Sequence, residues 1–178
     1  MRFFSSFAAV CLAATIAAAD GPAAPASGSA GPGGETTDFS SADPQVLSAL
    51  KEAEIDYTVD GDGDFVVKYD CPDNRSHIVF INSRPSVLGP FRFRKIWAPA
   101  FVVKEPLAES RLNRLLSENA SFLAGFWSIS PFKGDRLVVF TVPVPCDASG
   151  EVLDTALRAA VQAADGLEDL WTNGKDDF

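Results

Sequence analysis

Cys71 and His77 stand six residues apart and are the first residues in this chain that could serve as nucleophile and base. That chemistry needs the two side chains in hydrogen-bond contact and a third group to orient the base. The hairpin expected over 65–82 puts them on opposite faces, so the pair is not assembled. Asp60, Asp62 and Asp64 alternate like the first ligands of a calcium loop, which also needs Gly at position six and Glu at position twelve. Phe65 and Cys71 hold those places, and Asp with Gly at 60–64 reads as a turn. Ser48-Ala49-Leu50-Lys51 matches S-x-x-K without the S-D-N or K-T-G that complete the motif. There is no G-x-S-x-G, P-loop or dinucleotide fingerprint, and a single His excludes most His-based metal sites. The reading is a non-enzymatic chain with no catalytic residue, no metal and no cofactor.

The charge pattern is more informative. The chain carries a net charge of −9, which argues against a nucleic-acid partner. Yet residues 74–104 contain no Asp or Glu, while Arg75, Arg84, Arg92, Arg94, Lys95 and Lys104 all fall there. Within this stretch Phe91-Arg92-Phe93-Arg94-Lys95-Ile96-Trp97 interleaves aromatic and cationic residues. Strand alternation would put the cations on one face and the aromatics on the other. Arg92, Arg94, Lys95 and Trp97 are therefore the candidate partner-binding residues, suited to an anion, an acidic peptide or a lipid headgroup. The competing reading is a basic sheet face paired with the chain's own acidic helices or an acidic second subunit.

These residues need elements to hold them. Asp43 can cap a helix that begins at Pro44 and turns Val46, Leu47, Leu50 and Ile55 inward. Phe65–Tyr69 and His77–Ile81 read as strands of a hairpin around the turn Pro72-Asp73-Asn74-Arg75. With a four-residue loop, Phe65, Val67 and Tyr69 share a face with Ile78 and Phe80. A third strand is expected over 96–103, after a stretch at 84–90 broken by Pro and Gly. A helix over 106–122 follows, then strands over 124–129 and 136–144. The last helix, 149–171, places Leu153, Leu157, Ala160, Val161, Ala164, Leu167 and Trp171 on one stripe. The order α-β-β-β-α-β-β-α makes an α+β domain, an antiparallel sheet packed against helices.

At the N-terminus, Arg2, an apolar run to Ile16 and Ala17-Ala18-Ala19 describe a signal peptide over 1–19, cleaved after Ala19. The chain is thus expected to be secreted or periplasmic, with no membrane span in the mature protein. Residues 20–42 read as a disordered Gly/Pro/Ala/Ser linker, 43–172 as the domain and 173–178 as a C-terminal tail. Cleavage leaves Cys71 and Cys146, a possible disulfide in an oxidising compartment. Asn74-Arg75-Ser76 and Asn119-Ala120-Ser121 fit the glycosylation triplet.

Several stretches resemble the YbjN family, described as sensory-transduction regulators, over about 130 residues from Pro44 to Trp171. They are Leu50 to Tyr57 with the Asp/Gly turn, Arg94-Lys95-Ile96-Trp97 entering a strand, Leu112 to Gly125 around Asn119, and Ala163-Ala164-Asp165. The resemblance implies a fold similar to type III secretion chaperones and a small α+β binding domain without a cofactor. The expected function is an exported domain that binds a protein or peptide partner, with a homodimer as one arrangement. The alternative is a small secreted hydrolase whose site is assembled only by the fold.

Overall fold

The computed structural model describes residues 42–132 and 134–178. All the described residues belong to one compact unit. The expected signal peptide, and all of the expected linker except Ala42, lie outside the described residues.

Asp43 caps the first helix, α1 (Pro44–Glu52), by accepting the Gln45 amide at 2.7 Å, with Pro at the start where its missing N–H costs nothing. Seven strands follow in two groups: β1 (Thr58–Val59), β2 (Phe65–Asp70), β3 (Ser76–Ile81), β4 (Ser86–Leu88) and β5 (Phe91–Val103), then β6 (Phe126–Phe132) and β7 (Asp135–Pro145). Helix α2 (Glu109–Asn119) separates the groups, and α3 (Gly150–Thr172) closes the chain under a Ser149 cap. The sheet is antiparallel in the order β1-β2-β3-β5-β7-β6, with β4 pairing β5 off that path.

The α+β class and the antiparallel sheet agree with the sequence reading. The element order gains two strands, because β1 and β4 are too short to carry a periodic pattern. The stretch 84–90 holds β4 and its turn, and the third expected strand starts at Phe91 rather than Ile96.

The β2–β3 hairpin is one residue out of its expected register. Tyr69 lies across from His77, Val67 from Val79 and Phe65 from Ile81. The loop has five residues, 71–75, closed by the Cys71 N–H donating to the Arg75 carbonyl at 2.9 Å. Asp73 and Asn74 take left-handed backbone (φ 59° and 58°), which Asp and Asn tolerate better than most residues. Because side chains alternate, that single residue moves Ile78 and Phe80 to the opposite face from Phe65 and Val67. It also places Cys71 and His77 on one face, contrary to expectation.

One side of the sheet carries the core. Phe65, Val67, Val79, Ile81, Ile96, Ala98, Phe140 and Val142 pack with Leu50 of α1 and with Leu153, Leu157, Ala160 and Ala164 of α3. The two helices touch closely at Gly150, where a Cβ would lie 2.7 Å from the Ala49 carbonyl. A side chain there would push α1 off α3.

Candidate functional site

Strand β5 divides the expected partner-binding residues between its two faces. Arg94 faces the core side and is 2% exposed. Its guanidinium donates to Asp43 at 2.8 Å and to the carbonyls of Asn82 and Ser83 at 2.8 and 2.7 Å. Asp43 is pushed up by burial, but hydrogen bonds from Arg94 and Gln45 outweigh that and hold its carboxyl below the usual range. Arg94 thus stitches the start of α1 to the loop after β3 and is not available to a partner. Arg92, two residues earlier on the same side, is exposed where β5 leaves the body of the sheet. Lys95 and Trp97 point to the opposite face, together with Phe91 and Phe93. The expected separation of cations from aromatics therefore fails at Lys95. The run Arg94-Lys95 puts adjacent cations on opposite sides of one strand.

That opposite face carries a groove of about 650 Å³. Its floor alternates along the strands. Phe80 comes from β3, Lys95 and Trp97 from β5, Leu137, Val139 and Thr141 from β7, and Phe126 and Ser128 from β6. The Phe80 and Trp97 rings stack across the strands at 4.3 Å and 10°, as expected for a directly opposed pair. Leu137 and Val139 are buried by their neighbours in the sheet but stand apart from the core cluster on the helix side. Phe126 is 41% exposed.

The Asp60–Asp64 turn forms one wall of the groove. Asp60 accepts the amides of Asp62 and Asp64 at 3.0 Å each. Asp64 accepts the Ser83 amide and the Asn82 side chain at 2.7 Å each. These carboxylates shape the turn, as expected of Asp in that setting. Burial, with the charges of Asp60 and Asp62 adding to it, raises Asp64 above its ordinary value.

A second cluster lies on the helix side, beneath the C-terminal residues. Arg75 donates to Asp165 at 2.8 Å, to Glu168 at 2.9 Å and to the Lys175 carbonyl at 2.8 Å. His77 is fully buried; its Nε2 donates to the Pro99 carbonyl at 2.7 Å. Its Nδ1 lies 3.3 Å from Glu168 Oε2 without a hydrogen bond. Burial lowers His77 and raises Glu168 from their ordinary values. His77, Asp165 and Glu168 offer ligand atoms within 4.8 Å of one another, the spacing of a metal site. However, the Arg75 guanidinium already pairs with both carboxylates, so a metal ion would have to displace it.

Residues of the expected C-terminal tail, 173–178, reach this cluster. The Asp177 amide donates to Glu168 at 2.7 Å, and the Phe178 ring lies 6.2 Å from His77.

Cys71 borders the same cluster. Burial first, then the charge of Asp165, pushes its thiol up to about 11. Among the described residues no hydrogen bond joins Cys71 to His77, so sharing a face does not make them a nucleophile–base pair. The possible disulfide does not form, since both cysteines are free. Cys146 follows Pro145, opposite Phe93, whereas Cys71 extends β2 beyond the far end of β3. At ~3.3 Å per strand residue they are roughly 30 Å apart, against the ~6 Å between Cα atoms that a bridge needs. Asn119 is also committed, accepting the Trp127 amide at 2.6 Å and donating to the Trp127 carbonyl at 3.2 Å.

Sequence reasoning missed Phe80, Phe126, Leu137 and Val139. Two signals pointed to them. The adjacent aromatics Phe126-Trp127 and the unbroken apolar runs Ile78–Ile81 and Leu137–Phe140 mark strands with two apolar faces. Fold and site together define a small α+β domain with one sheet face sealed by helices and an apolar groove on the other. No family model and no curated protein matches the chain.

Proposed function

We propose that this chain is an exported, non-enzymatic, YbjN-like binding domain that holds an extended apolar segment of a protein partner. The observation that carries the reading is the groove floored by Phe80, Trp97, Phe126, Leu137 and Val139 on the sheet face opposite the helices. Contiguous apolar surface of this kind on a folded domain marks an interaction site. A concave strip of sheet suits a peptide whose alternate side chains point down, with Ser128 and Thr141 supplying polar contacts. The clusters that could do chemistry are engaged in holding the fold: Arg75 fastens the C-terminal residues to α3, His77 is bonded to the Pro99 carbonyl, and Asp60 and Asp64 shape a turn. The element order from Pro44 to Trp171 supports the YbjN-like reading, and the apolar run before Asp20 supports export.

The test is selection from a random-peptide display library on the immobilised full chain. Enriched peptides should be apolar and extended, and Phe126→Ser with Lys95→Glu should reduce their binding by roughly tenfold or more. They should also be recovered intact after prolonged incubation. No enrichment, or equal binding by the variant, would remove the groove as the binding surface. Cleaved peptide would replace the binding domain with the hydrolase.

A further inference from the structure

The hairpin of β4 and β5 carries an independent surface. Ser86, Val87 and Leu88 pair with Phe93, Arg92 and Phe91 around the two-residue turn Gly89-Pro90. Gly89 has φ +57°, the left-handed backbone required at the first position of a type II′ turn, and Pro90 suits the second. Since β4 pairs only with β5, this hairpin lies off the main strand path.

Gly89-Pro90 is ordinary turn chemistry, but the flanking Val87, Leu88 and Phe91 leave the tip with no polar side chain. Val87, Leu88 and Phe91 are 66%, 72% and 59% exposed. Exposed Arg84 and Arg92 flank the tip, and neither makes an ion pair among the described residues. Asp147 is the carboxylate that lines the shallow cleft beside Phe91–Phe93. The stretch 74–104 itself contains no Asp or Glu, in a chain of net charge −9.

We infer that this hairpin is a membrane-contact device that seats its apolar tip in an anionic lipid surface. The exposed apolar surface is confined to one two-residue turn and the three large side chains beside it, whereas protein docking surfaces are broad patches. Such a tip fits the boundary between headgroups and acyl chains, where apolar side chains leave water and flanking arginines meet phosphate. The charge pattern selects anionic lipid: the two arginines attract it, while the acidic remainder of the chain is repelled from the same surface. The contact is peripheral and reversible, because only three large side chains enter. No helix among the described residues is long and apolar enough to cross a membrane.

Sedimentation of the full chain with phosphatidylglycerol/phosphatidylcholine vesicles, against phosphatidylcholine alone, tests this. Wild type should bind the anionic vesicles and release them as salt rises. Arg84→Glu with Arg92→Glu, and separately Leu88→Asp with Phe91→Asp, should each cut binding about tenfold or more. All these proteins carry the same residues 1–41, so a difference reports the hairpin. Melting curves should be unchanged, since the tip holds no core residue. Hydrogen exchange on the wild type needs no variant, and amides of 86–93 should be slowed on anionic vesicles. Equal vesicle binding by wild type and variants, or unchanged exchange over 86–93, overturns the inference and leaves the hairpin as a protein contact.

Discussion

On the helix side of the sheet, Phe65, Val79, Ile96 and Phe140 are sealed beneath α1 and α3, and the buried Arg94 finds a carboxylate and two carbonyls. On the other side, Phe80, Trp97 and Phe126 floor a groove, and Lys95 stands exposed beside them. Both faces are apolar enough to be covered, but α1 and α3 both pack on the first. The difference teaches that residue type does not separate structural from available groups here. Arg94 and Lys95 are adjacent cations, and the pleat alone decides that one holds the fold together while the other can meet a partner.

The largest effect that could break this comparison comes from reversing those two charges separately. Arg94→Glu strips the buried partner from Asp43 and sets two acids against each other, a change expected to cost about 3–5 kcal/mol. Lys95→Glu, one residue on, should change stability by about 0.5 kcal/mol or less. Urea unfolding of both variants checks it, and similar losses would mean the two faces are not energetically distinct.

A smaller effect sharpens the helix-side account through pH. Asp43 has a folded value below its ordinary 3.8, so the unfolded chain binds its proton more readily. Its ionised form therefore contributes stability that is fully present above that ordinary value and lost as pH falls through the lower folded one. Unfolding curves taken from about pH 5 downward should show an acid-side loss that is smaller in Arg94→Met, where the depressing partner is gone. An identical slope in both proteins would show that Arg94 does not set Asp43.

The smallest effect concerns Cys71. With its thiol near 11, the thiolate at neutral pH should be roughly 100-fold scarcer than in an ordinary cysteine, and alkylation correspondingly slow. Labelling followed by peptide mass mapping reads the rate at this position against a model cysteine peptide. Fast labelling would mean that Cys71 is not packed against α3.

Much of the scaffold is legible in the sequence. The 149–171 stripe, the Asp43 cap and the apolar runs announced their elements, because helix period and capping are local properties. The strand pair 65–69 and 77–81 was also visible, but its register was not. Register depended on whether the loop took four residues or five, and that turned on left-handed backbone at Asp73 and Asn74. The same one-residue difference hid Phe80 from the site and put Cys71 on the face of His77. Lys95 was misplaced for a related reason: a list of cations along a strand does not record its two-residue alternation unless each is assigned a side.

The sequence by itself determined the α+β class, the helices, the acidic balance and the absence of a recognised catalytic motif, since these rest on composition and short-range periodicity. Only the tertiary structure decided which sheet face the helices cover, that Arg94 is buried on Asp43, and that Arg75 holds α3 and the C-terminal residues. Each brings together groups separated by some 50 to 100 positions. Local patterns carry no record of such pairings, because they form only when non-local strands and helices close over one another.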